Sequence, residues 1–314
     1  MSVGNIFLTL IPIFFTIIVG YLGGYFKIFN PESSKGLNTL VTKFALPAHL
    51  FIGITTTSKQ TLIDQWSFFI TMTLGIIGFY VILLIVARLA FKYDLTKASM
   101  FSLNSTQPAF AFMGISVLGS LFGAQEIAIP VAITGIVVNA LLDPIATIVG
   151  TIGQTTTKAE GGRANKLGII LHGLSEPLAC IPLLAVVLTL CGFHSPEILK
   201  TSFEQIGSVT SGVALFAVGV TVGIRKISFQ KVAVGISVLK VVAIPLFMIL
   251  ITNLIGLDHK DTIKAILLVA FPGSAVAAMI STRFNSLTTE TASSFVISTI
   301  LSLISLPIYI SWLV

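Results

Sequence analysis

The chain has 314 residues, of which 55% are hydrophobic and only 10% charged, with a mean hydropathy of +1.02. A water-soluble domain keeps roughly 25% of its residues charged, so water is not the solvent for most of this surface. The formal net charge of +6 does not point to nucleic acid, because the cations stand singly in short loops without interleaved aromatics, as in a membrane topology signal.

Crossing a hydrocarbon core of roughly 30 Å takes about 20 mostly apolar residues. Hydropathy and loop signals predict ten such segments: Asn5–Phe26, Gly36–Thr56, Trp66–Phe91, Lys97–Phe122, Glu126–Thr151, Leu167–Phe193, Glu197–Gly223, Gln230–Leu257, Thr262–Arg283 and Thr288–Val314. Ile6–Phe26 reads as a retained first span, since Met1–Asn5 has no basic region and no small-residue cleavage site follows. In the sixth segment His172, Ser175, Glu176 and Pro177 suggest an interfacial turn before the span proper. Cys180 and Cys191 fall in that one helix, roughly 16 Å apart by helical rise, too far to pair.

Charge supports the count. With the N-terminus outside, the inner loops hold Lys27, Lys35, Arg88, Lys92, Lys97, Lys158, Arg163, Lys166, Arg225, Lys226, Lys231 and Arg283, 12 cations against 4 outside (Lys59, Lys200, Lys260, Lys264). Cationic loops resist translocation, so both termini are expected on the extracytoplasmic face of the cell membrane.

The polar stretch Gln154–Lys166 divides the chain into a first unit, 1–153, a cytoplasmic linker, 154–166, and a second unit, 167–314. Breakpoints recur across it: Pro12 and Pro177 are 165 apart, Pro108 and Pro272 164, Pro144 and Pro307 163, Glu126 and Glu290 164. Five segments per unit is an odd number, so the second copy enters the bilayer from the opposite side, the inverted-repeat plan of many secondary transporters. The fold class expected is therefore an all-α integral membrane protein of ten helices in two inverted five-helix repeats.

Chemistry concentrates at two matched prolines. The fourth segment runs Asn104, Ser105, Thr106, Gln107 into Pro108, and the ninth has Pro272 followed by Gly273 and Ser274. A proline in a bilayer removes a backbone hydrogen bond, tolerated where the break is buried in protein or lines a watery cavity. Two discontinuous helices meeting at mid-depth would aim amides and positive helix ends at one point, which favours a carboxylate; the plainer alternative is two kinks that shape packing. Gln107, Pro108, Pro272, Gly273 and Ser274 are the candidate crossing, with Asn104 and Asn139 as polar lining. Asp143, a costly intramembrane acid, is a candidate for a coupling proton or cation, or else a hydrogen-bonded structural acid. Lys240 reads as its charge partner, as an attractor for an anion, or as a snorkelling lysine, and Lys43 as snorkelling. Glu126 and Glu290 each sit in a first helical turn, where a negative charge suits the dipole. No H-E-x-x-H, G-x-S-x-G or P-loop occurs, and the four histidines build no metal site, so no enzyme and no resident cofactor are expected.

On these residues the sequence resembles the auxin efflux carrier family, whose bacterial members include malate and malonate permeases. The resemblance covers nearly the whole chain: Gly20-Tyr21-Leu22 and the Lys27–Asn30 turn, Leu46-Pro47, Leu50-Phe51, Phe112-Met113-Gly114, Leu121-Phe122-Gly123, Ala214–Gly219, Leu239-Lys240 with Pro245, Pro272, and the run Ser293–Pro307. It implies a scaffold from segments one, two, six and seven, a moving unit from segments three to five and eight to ten, and crossing broken helices at four and nine. It also implies an anionic organic substrate, often a dicarboxylate. The family pattern P-N-x-G-F-x-G-x-P is only partly kept: Pro108, Phe112 and Gly114 match, but Ala109, Ala111 and Ser116 replace the asparagine, the first glycine and the second proline. The expected partners are a small carboxylate and the lipid bilayer, with room for a homodimer, and Na+ or H+ are the candidate coupling ions.

Overall fold

The computed structural model describes residues 3–56, 58–157, 177–224 and 228–313. The predicted linker beyond residue 157, the start of the sixth segment with His172, Ser175 and Glu176, and the cations Arg225 and Lys226 lie outside the described residues.

Among the described residues the architecture is helical, with no strand. In chain order the helices are α1 (Val3–Tyr25), α2 (Pro31–Thr55), α3 (Lys59–Leu89), α4 (Leu95–Thr106), α5 (110–122), α6 (Ala124–Gln154), α7 (Pro177–Leu190), α8 (Glu197–Ile224), α9 (Lys231–Ile255), α10 (His259–Ala270), α11 (Ala275–Arg283) and α12 (Thr288–Leu313). Six of them, α2, α3, α6, α8, α9 and α12, are long and apolar enough to cross a membrane. The helices α2 and α3 start furthest ahead of the hydropathy prediction, for local reasons. Asn30 accepts the Ser33 amide at 2.8 Å and Pro31 opens α2; Ser58 accepts the Thr61 amide at 3.1 Å and opens α3. Asp94 and Asp258 cap α4 and α10 in the same way. Each cap supplies an acceptor to amides that the helix leaves unpaired.

The polarity is that of a protein dissolved in lipid. Along α12, Ile300, Ile304, Ile308 and Trp312 recur every four residues and are exposed, whereas Ser294, Ser298 and Ser302 recur at the same spacing and are buried. Leu246, Leu250 and Leu254 form a similar outward stripe on α9. Among the described residues four π-helical turns interrupt the helices, at Val41–Ala45, Gly114–Leu118, Val137–Leu142 and Leu239–Ala243. Each carries one of the residues singled out from sequence: Lys43, Ser116, Asn139 and Lys240. Wide turns of this kind gather at functional sites.

The helices α1 and α8 make the closest seam. Gly20 and Gly24 of α1 face Gly219 and Gly223 of α8, and a Cβ on Gly20 or Gly219 would fall on the carbonyl oxygen of Phe216 or of Ile17. Lipid tails are as apolar as leucine, so small residues that let backbones approach drive helix pairing in a bilayer. Two carbonyls cannot yield as a side-chain tip would. We expect Gly219→Val to lower stability by more than the roughly 1–3 kcal/mol usual for overpacking, read as thermal unfolding in detergent. Gly212→Ala, whose added methyl has open space around it, should leave the unfolding temperature unchanged.

Candidate functional site at the meeting of two helix breaks

Both matched prolines break their helices by one local rule. The residue before a proline is pushed out of the α region, and the proline offers no amide. Gln107 accordingly turns extended, at φ −68° and ψ 116°, and α4 stops at Thr106. Phe271 does the same before Pro272, at φ −58° and ψ 151°, and α10 stops at Ala270. Helix resumes at residue 110 in α5 and at Ala275 in α11.

The breaks meet. Pro108 and Gly273 form an isolated antiparallel bridge, and the Ala109 amide donates to the Pro272 carbonyl at 2.8 Å. The Gly273 amide donates to Ser298 Oγ at 3.0 Å. Backbone groups that two unbroken helices would have satisfied internally are thus satisfied across the break. Asn104 fastens the pieces: its Nδ2 donates to Ser281 Oγ of α11 at 2.7 Å and to the Met100 carbonyl at 2.8 Å. Ser274 caps α11 by accepting the Val276 amide at 3.1 Å. The start of α5 has no such cap, because Ala109 stands at its N-cap position. Its first-turn amides begin at the crossing without a side-chain acceptor.

Charge around the crossing is arranged with the helix ends. Lys240 is fully buried, and its Nζ donates to the carbonyl of Val269 in the last turn of α10. A cation suits the negative end of a helix. The contact seen for Lys240 is thus with a helix terminus, and its pairing with Asp143, one of three readings from sequence, is not among the contacts described. Asp143 Oδ2 instead accepts from Gln107 Nε2 at 3.3 Å. Gln107 Oε1 and the neighbouring Thr106 Oγ1 are buried without a hydrogen-bond partner among the described residues. Buried polar atoms left so are few in folded proteins. Asn139, one turn before Asp143, donates to the Gly135 carbonyl of its own helix at 2.9 Å. Glu126 and Glu290 stand in the first turns of α6 and α12.

Of the residues predicted from sequence, the structure brings together Asn104, Gln107, Pro108, Pro272, Gly273, Ser274 and Asp143, with Lys240 at the rear of α10 and Asn139 one turn away on α6. It adds Ser281, Ser298 and the Val269 carbonyl. The two serines carry a faint signal, as hydroxyls repeated on one face of apolar helices. A main-chain carbonyl carries none.

The chain matches, over residues 5–310, the family described as "Membrane transport protein". It belongs to that family, the auxin efflux carriers. Among the relatives of this membrane transport protein, Escherichia coli K12 "Uncharacterized transporter YfdV" is 28% identical over 302 residues, covering 96% of this chain and 95% of that one. Rhizobium meliloti "Putative malonate transporter" is 23% identical over 299 residues, covering 93% and 91%. Mouse "Lysosomal cholesterol signaling protein" is 25% identical over 323 residues, covering 96% of this chain but 37% of that longer one.

The tie between Asn104 and Ser281 can be weighed directly. In a double-mutant cycle of Asn104→Ala and Ser281→Ala we expect a coupling on the order of 0.6–1.7 kcal/mol, the span measured for interhelical hydrogen bonds in a bilayer. Reversible unfolding in mixed micelles measures it, and additive losses would mean that the bond holds nothing.

Proposed function

We propose that the chain is a secondary carrier of a small organic anion, a dicarboxylate such as malate or malonate or an auxin-like carboxylate, working by alternating access. The observation that carries this reading is the bridge between Pro108 and Gly273, which gathers two helix starts and two helix ends at one buried point. An anion there would accept from the uncapped first-turn amides of α5, and Lys240 offsets the negative end of α10 that would otherwise repel it. Gln107 and Ser274 flank the same point, the family is one of membrane transporters, and the Rhizobium relative is named for malonate.

In this reading the ten segments form two inverted five-helix repeats, 1–153 and 167–314, joined by a cytoplasmic linker at 154–166, with both termini extracytoplasmic. The helices α1, α2, α7 and α8 are the scaffold, and α3 to α6 with α9 to α12 the moving unit. The coupling ion, Na+ or H+, binds at Asp143, where the Gln107 and Thr106 oxygens add acceptors. A bound ion strengthens anion binding by the same factor as a bound anion strengthens ion binding, and uphill transport requires in addition that the two cross together.

The carrier is tested by counterflow of labelled malate, malonate and indole acetate in liposomes, with and without a sodium or proton gradient. We expect saturable exchange, and a fall of roughly tenfold or more, about 1.4 kcal/mol of lost interaction, in Pro108→Ala and Pro272→Ala proteins that still fold. Full exchange in both variants would remove the crossing as the site. The mouse relative, named for signalling, favours a second reading, a ligand sensor that binds without moving its ligand; saturable binding with no counterflow would establish it. Flux without saturation would indicate a passive channel.

A further inference from the structure

A cavity of about 290 Å³ lies away from the crossing, where α2, α5, the start of α6 and the turn within α8 come together. Its polar wall is His49 from α2, Ser116 and Ser120 from α5, and Ser208 from α8, with Gly119 and Gly207 beside them. None of these residues enters the site described above. The two places share one helix, α5. Ser116 follows Pro108 by eight residues on the helix that leaves the crossing, about 12 Å of helical rise.

The wall has a specific chemistry. The His49 ring makes no hydrogen bond among the described residues, although an imidazole always carries at least one N–H donor. Ser120 Oγ donates to the Ser116 carbonyl at 2.7 Å and Ser208 Oγ to the Gln205 carbonyl at 3.0 Å, so both hydroxyls turn lone pairs outward. One donor and two acceptors in a lining that also holds Ile115 and Ala124 complement a short acid. A carboxylate oxygen accepts from His49, and a hydroxyl or protonated second carboxyl donates to the serines. Glu204, whose charge His49 feels, is exposed and so screened by water and salt. The volume sits at the small end of ligand pockets, suited to an acid of a few carbons. The glycines are part of the construction. A Cβ on Gly207 would come within 3.2 Å of the His49 backbone, whereas one on Gly119 would meet nothing closer than 3.9 Å and project among the lining groups.

We propose that this His49 cavity is a second, shallower binding subsite for a short hydroxy- or dicarboxylic acid, occupied on the way to the crossing. The inference rests on the carrier reading, and it narrows the cargo from organic anions at large to short acids.

Two measurements test it separately from that reading. In protein carrying Cys180→Ser and Cys191→Ser, Ser120→Cys is labelled with a charged methanethiosulfonate, with and without saturating malonate. We expect malonate to slow labelling at least fivefold and indole acetate to slow it little. In liposomes, His49→Phe and the cavity-filling Gly119→Val should raise the KM for malonate counterflow roughly tenfold, about 1.4 kcal/mol, while His49→Gln, which keeps a donor, should raise it less. Labelling that malonate leaves unchanged, or a wild-type KM in Gly119→Val protein that folds, overturns the subsite. Absence of wild-type counterflow with every acid overturns the carrier, and malonate protection of Ser120→Cys would still uphold the subsite as a binding site.

Discussion

A peptide group inside a hydrocarbon core has to find its hydrogen bond within the protein, because no water is there to supply one. Everything distinctive about this fold follows from breaking that rule twice and repairing it once. Pro108 and Pro272 each deprive a helix of its continuity, and each alone would strand polar backbone at mid-depth. Set against one another, the broken stretches bond to each other through the bridge at Gly273 and through the Ala109 amide. Ser298 and Ser274 accept two of the amides that remain. The repair is incomplete at the start of α5, where Ala109 cannot cap. That residue is also where the chain departs from its family's pattern, so the shortage of acceptors and the departure coincide.

The pair of breaks was legible because proline acts on its own neighbours. The rule that displaces residue 107 or 271 from helical geometry needs no knowledge of the rest of the fold, and the 164-residue spacing tied one break to the other. The buried lysine was legible as an anomaly but not as a contact. Its partner, the Val269 carbonyl, belongs to a main-chain group that every residue possesses, so charge complementarity in the sequence pointed to Asp143 instead. The starts of α2 and α3 were misplaced because hydropathy registers the apolar stretch, whereas the helix begins at the polar cap before it. His49 escaped notice because a single histidine in an apolar segment means little until α5 and α8 are brought against it. The π-helical turns were hidden for a similar reason, since a one-residue widening leaves the hydrophobic period almost unchanged.

The seam between α1 and α8 and the crossing are opposite solutions to one packing problem. Glycines at the seam let two unbroken helices approach until backbone meets backbone, which gives a contact with one geometry and no slack. At the crossing the backbones also touch, but through extended residues held by a few bonds to Ser298, Ser281 and one another. Close-packed seams resist rearrangement, and a small set of hydrogen bonds can be exchanged. The seam of α1 with α8 is a joint of the first kind, and the crossing is one of the second.

The placement of Lys240 bears on why an anion would be drawn to a point this deep. A helix break creates a positive and a negative end together, so two breaks by themselves offer no net preference for either sign of charge. The preference has to come from what covers the ends. Here one negative end, that of α10, is covered by a buried ammonium, while one positive end, that of α5, is left uncovered by Ala109. These two features lean the crossing toward positive charge, the Asp143 carboxylate beside Gln107 leans it the other way, and the balance comes from a difference between the two breaks and not from their likeness. Matching the prolines locates the crossing; the mismatch between the residues around them sets its charge balance.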